Sequence, residues 1–121
     1  MGYQSFKDLV VWQEAKKLAV EIYKLTSDGK FSKDYGLKGQ IQRSAVSIAS
    51  NIAEGYERNS NKEFIRFLLI AKGSNAELIT QLEIAKDVGY INQDVFAAIE
   101  NQINKIGAML TKLIMSRKSK K

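Results

Sequence analysis

The chain of 121 residues contains no cysteine, no histidine and no proline. Each absence removes a class of chemistry. Without Cys there are no disulfides, thiol nucleophiles or thiolate metal sites, which is compatible with a cytoplasmic home. Without His there is no imidazole to act as a general base near neutral pH, to ligate zinc or to switch with pH. Ser-His-Asp and Cys-His sets are excluded, as are the Glu-x-x-His di-iron sites of some helical bundles. Gly-rich phosphate loops are missing as well. A catalyst would have to rely on carboxylates, Lys, Tyr or a bound metal, so the sequence points away from an enzyme and calls for no cofactor. No uninterrupted apolar run suggests a membrane span, and the N-terminus does not read as a signal peptide.

What is present is helical periodicity over one domain, residues 1–116, with a short basic tail at 117–121. The absence of Pro and the placement of Gly29, Gly55 and Gly89 divide the chain into four segments, at about 9–26, 34–55, 60–88 and 93–116. In the first, Val11, Ala15, Leu18, Ile22 and Leu25 form one stripe, and Ser5 with Asp8 suggests a capping box. In the second the stripe is Ile41, Ala45, Ile48 and Ile52. Ser60 and Glu63 form a capping box for the third, whose face is Phe64, Leu68, Ala71, Asn75, Leu78, Leu82 and Ala85. Asn92 and Asp94 start the fourth, with Phe96, Ile99, Ile103, Ile106, Leu110 and Leu113 on one side. Four amphipathic helices with short connections predict an all-α, antiparallel up-down four-helix bundle.

The second segment carries an unusual polar stripe of Arg43, Ser47, Asn51, Glu54 and Arg58, flanked by the small residues Ser44, Ala49, Ser50 and Ala53. Short hydroxyl and amide groups suit specific contacts within a bundle or between subunits. Gln40, Ser47, Asn51, Glu54, Ser74 and Glu77 are the expected members of a polar network that fixes helix register. Two readings fit Arg43: a bidentate bond to Glu54 or Glu77 from a neighbouring helix or subunit, or a phosphate contact. Glu54, Ser74 and Glu77 supply two carboxylates, too few for a metal site, so none is expected. Gly73 would let a neighbouring helix pass close by. Trp12 and Tyr23 read as packing residues, and Met109 and Met115 as core or interface filler.

Each helix carries more apolar residues than one seam needs. Leu9, Val10, Ala19, Ile65, Leu69, Ile70, Ile79, Val95 and Ile114 lie beside the main stripes. A wide core-facing stripe accounts for some of them, and a second buried face between copies of the chain accounts for more, since monomers seldom expose large apolar patches. Self-association into a homo-oligomer is therefore expected. The fourth helix is needed to close the bundle, which argues against a membrane-surface role.

The net charge is +6, but Arg117, Lys118, Lys120 and Lys121 lie in the tail, and without them the body stands at +2. Such a tail can be a plain solubilising end or, repeated around an oligomer, a multivalent basic rim. Arg43, Arg58, Lys62 and Arg66 are further candidates for phosphate contacts, and Lys16, Lys17 and Lys24 lie on the first helix. No helix-turn-helix signal or aromatic stacking platform accompanies them.

The segment from Gln40 to Gly55, ending Asn51-Ile52-Ala53-Glu54-Gly55, carries a resemblance, together with Phe6 to Leu9, Val11-Trp12-Gln13, Ile22 to Thr26, Tyr35-Gly36-Leu37, and Phe67 to Ser74 with Glu77 and Leu82. These residues resemble the four-helix bundle proteins encoded in intervening sequences of bacterial 23S ribosomal RNA genes, and the accessory variability proteins of diversity-generating retroelements. The missing Pro near the first loop departs from the family's usual pattern. The resemblance implies a homopentameric ring that is non-enzymatic and binds nucleic acid, structured RNA before DNA. It also implies an alternative, an oligomeric scaffold that binds a partner protein such as a reverse transcriptase.

Overall fold

A computed structural model describes residues 5–120, which contain helices and no strand. Helix α1 spans Val10–Thr26, α2 Tyr35–Glu57, α3 Asn61–Asp87 and α4 Gln93–Lys118. Short 3-10 turns at Phe6–Asp8 and Phe31–Lys33 precede α1 and α2. Each helix packs on the next in sequence, α2 against α3 most extensively, and a smaller α1–α4 contact closes the bundle.

Local signals set most of the boundaries. The hydroxyl of Ser60 accepts from the Glu63 amide at 3.3 Å, and Asn92 Oδ1 accepts from the Val95 amide at 2.8 Å. Asp34 caps α2 by accepting from the Leu37 amide at 3.1 Å. Ser5 behaves differently from expectation. Its hydroxyl accepts from the Lys7 amide and caps the 3-10 turn, while α1 begins at Val10, after Leu9, with no side-chain cap. The intervening turn takes up the chain that a capping box would have needed.

The expected stripes enclose the core. Ile41, Ala45, Ile48, Ile52, Leu68, Ala71, Leu78 and Leu82 are completely inaccessible, and Phe31 and Ile91 close the core from the connections. Leu9 and Ile114 are also buried, so the core-facing stripes are wider than a single seam. Among the described residues Thr26, Ser44, Ser74 and Asn75 are the buried polar side chains. Thr26 donates to the Ile22 carbonyl and accepts from Gln42 Nε2, both at 2.9 Å. Asn75 reaches across to α4, where its Nδ2 donates to the Ile103 carbonyl at 2.9 Å. It fits because Gly107 lies opposite, with no side chain to displace it. An amide bonded to one particular carbonyl sets the α3–α4 register more sharply than apolar packing does.

Tyr90 on the α3–α4 connection stacks near Phe31 and donates its hydroxyl to Asp34 Oδ2 at 2.9 Å. The Leu37 amide, and secondarily this hydroxyl, hold the Asp34 carboxyl below its ordinary pKa. Not every large side chain packs. Tyr23, read as a packing residue, is exposed on α1, as is Met115 on α4. Trp12 is half-buried against Phe6 and Met109 is partly buried against the core.

Gly55 does not end α2, which continues for two more residues and terminates at Asn59 in the left-handed region, φ 56°. Gly55 is instead the point of closest approach of α3. A Cβ there would lie 2.6 Å from Phe67 Cβ and 3.1 Å from Phe64 Cδ1. Gly55→Ala gains up to about 1 kcal/mol in helix propensity but forces the two helices apart, an overpacking that costs about 1–3 kcal/mol. The expected result is net destabilisation, seen as a Tm lower by several degrees at fixed protein concentration.

Candidate nucleic-acid interface

The close approach at Gly55 brings Tyr56, Phe64 and Phe67 together where α2 turns into α3. Tyr56 and Phe64 meet edge to face at 5.9 Å. Three guanidinium groups lie on these rings. Arg58 and Arg66 stand 4.9 and 4.5 Å from the Phe67 ring, and Arg117, from the last turn of α4, stands 5.1 Å from Phe64. An aromatic face attracts a cation and leaves its outer N–H groups available. Two of the three arginines also hold carboxylates. Arg58 pairs with Glu54 at 3.0 Å, one helical turn back, and Arg66 pairs with Glu63 at 2.9 Å. Arg117 has no carboxylate partner among the described residues. Lys62, Lys118 and Lys120 are exposed nearby in sequence; Lys121 lies outside the described residues.

The turn and the end of α4 are joined directly. Asn61 Nδ2 donates to the Arg117 carbonyl at 2.7 Å and, at longer range, to the Lys120 carbonyl at 3.3 Å. Beside this contact lies a cleft of about 300 Å³ walled by Tyr56, Asn59, Ser60, Asn61, Phe64 and Arg117. The edge thus unites Arg58, Lys62 and Arg66 with the tail cations. Asn61 and the two Phe rings were absent from the sequence-derived candidates. The helix-start position of Asn61 was readable; its link to Arg117 was not.

Arg43 lies elsewhere, in a groove of about 370 Å³ between α2 and α3 lined also by Gln40, Ser44, Ser47, Glu77 and Gln81. Within that groove Ser47 and Ser74 share a hydrogen bond of 2.9 Å, and Asn51 Nδ2 donates to the Ser47 carbonyl and hydroxyl at 2.8 and 2.9 Å. Gln40 and Glu77 line the groove without joining those bonds. Glu54 is not a member, because Arg58 takes it. Eleven residues separate Arg43 from Glu54, about 16 Å along a helix, which puts an Arg43–Glu54 bond within one chain out of reach. No Arg43–Glu77 ion pair forms either, and the Arg43 guanidinium lies back against Gly39. Lys16, Lys17 and Lys24 are exposed on α1, away from both clusters in sequence. Among the described residues no three metal-ligating side chains converge, and no helix is long and apolar enough to cross a membrane.

The family model for the 23S rRNA-intervening sequence protein matches residues 7–112. The chain belongs to that family. Its fold is shared by a crystallographically determined protein of unknown function from the S23 ribosomal protein family of Bacteroides thetaiotaomicron. That protein is 30% identical, with a TM-score of 0.79 over 87% of this chain and 98% of the other. A comparison with curated proteins returned no match. The matched family span covers the α2–α3 turn but stops before Arg117, so the turn belongs to the family region and the tail cations lie beyond it.

The Glu63–Arg66 pair has a pH signature. The hydrogen bonds from Arg66 hold the Glu63 carboxyl below its ordinary pKa, against a smaller opposing effect of burial, and raise that of Arg66. A depressed carboxylate stabilises the folded state above its unfolded pKa, about 4.3, and that contribution is lost as pH falls through the folded value. Glu63→Gln is therefore expected to lower Tm at neutral pH, with the difference from the unsubstituted protein closing as pH falls through the folded-state pKa of Glu63.

Proposed function

We propose that this family member is a non-enzymatic, homo-oligomeric protein that binds structured RNA through the basic edge between the α2–α3 turn and the end of α4. The observation that carries this reading is the Asn61–Arg117 contact, because it places cations 50 to 60 residues apart in sequence on one surface. The family's description and that of its crystallised relative, which refer to 23S rRNA and to a ribosomal protein family, support RNA as the ligand class. The helices are read as antiparallel and up-down, the protein as cytoplasmic, and a pentamer as the assembly. The absence of His and Cys weighs against catalysis.

Binding of this type is governed by phosphate neutralisation and weakens steeply with salt. Titration of purified protein against structured ribosomal RNA and duplex DNA at several salt concentrations tests it. The expected result is salt-sensitive binding, stronger for RNA, with a shallower salt dependence in a variant ending at Ser116. Absence of binding at low salt would overturn the reading.

A second reading, a scaffold that binds another protein such as a reverse transcriptase, draws on the outer face of α3. Leu69 is 50% exposed and Ile84 48%, with Gly73, Ala76 and Thr80 between them, and Ile70 and Val88 beside them. Val46 lies exposed on α2. This face also supports self-association. Among the described residues nothing packs against Gly73, so the neighbour expected there is not one of the chain's own helices. In an isolated subunit Gly73→Ala should stabilise by about 1 kcal/mol. If another copy covers this face, the same change lowers the assembled mass and Tm. Sedimentation of G73A and of Leu69→Glu beside the unsubstituted chain decides this. A single-chain mass for the unsubstituted protein would remove self-association, and a partner retained at moderate salt but lost on L69E would favour the scaffold.

A further inference from the structure

The tail cations are useful to an RNA site only if they are held where the α2–α3 turn can act with them. Asn61 performs that holding. It is the first residue of α3, directly after the Ser60 cap, and its amide reaches the Arg117 and Lys120 carbonyls. The Arg117 carbonyl also accepts from the Lys120 amide at 3.2 Å, so the Asn61 amide adds a bond from α3 onto the turn that ends α4 and fixes that end. The Arg117 side chain then lies over Phe64 in the wall of the cleft that Asn61 also lines. Arg58 and Arg66 have carboxylate partners. Among the described residues, the arginine of this edge without one is the arginine whose backbone Asn61 binds.

We propose that Asn61 is a positioning residue for RNA binding, converting the cations of the last α4 turn from a loose appendage into a fixed part of the edge beside Lys62. The proposal rests on the RNA reading above and concerns how that site is built. A free tail loses conformational freedom with each phosphate it grips, whereas a docked one has lost that freedom before the RNA arrives. Asn61 carries no charge itself, so its effect is separable from simple charge counting.

Asn61→Ala in the full chain leaves every cation in place. Circular dichroism and Tm establish that it folds, and Asn61→Ser repeats the measurement should Ala unfold the protein. The expected result is about a three- to tenfold loss of affinity for structured RNA at constant salt, the size of one or two lost hydrogen bonds. Faster amide hydrogen exchange over residues 117–120 should accompany it. In the variant ending at Ser116 the same substitution should cost nothing further. Unchanged RNA affinity in N61A would overturn the proposal while leaving the RNA reading intact. An equal loss in the truncated chain would overturn it too, because the effect would not run through the tail. Failure of the unsubstituted protein to bind RNA would overturn both.

Discussion

The approach of α3 to α2 at Gly55 is the constraint on which the basic edge depends. With no Cβ at that position, the Phe67 side chain and the Phe64 ring sit directly on the α2 backbone. The turn that follows is correspondingly tight, running through Asn59 at positive φ into the Ser60 cap. The two rings are then available for cations from both sides of the turn and from α4. A larger residue at Gly55 would move the aromatic floor, and with it the three arginines, before it altered any charge.

Electrostatics divides those arginines by role. Arg58 and Arg66 each hold a carboxylate one turn away on their own helix, an arrangement that adds little stability at an exposed surface but tempers the local positive field. Among the described residues Arg117 has no such neighbour, and Lys118 and Lys120 after it are exposed. The field of the edge is therefore strongest toward the end of α4. This leaves one border distinctly basic although the chain without its tail cations stands at only +2. The groove containing Arg43 is different in character: short hydroxyl and amide groups are bonded to one another there, and the contact is between helices.

The outer face of α3 is the other surface with unusual composition. Leu69, Ile70, Ile84 and Val88 follow the helix on the side away from the core, and small residues separate them. The basic edge begins at the N-terminal end of the same helix. A single element thus serves both surfaces, so assembly along α3 would set the spacing between neighbouring basic edges.

The four helices and their buried stripes were legible in the sequence because they follow from local rules. Ile41, Ala45, Ile48 and Ile52 fall on one side of any helix, and Ser60 and Asn92 act on amides three residues away. The local rules failed where a distant element intervened. Gly55 reads as a helix end until Phe64 and Phe67 are placed against it, and Ser5 reads as the α1 cap until the 3-10 turn takes it. Arg43 and Glu54 share a helical stripe, but stripe membership says nothing about separation along the axis, and Arg58 is the nearer partner. The sequence by itself determined the helices, their apolar faces and the inventory of charges, since these depend on residues within a few positions of one another. Only the tertiary structure decided that Asn61 meets Arg117, because a contact across 56 residues exists only once α3 and α4 have packed in one register.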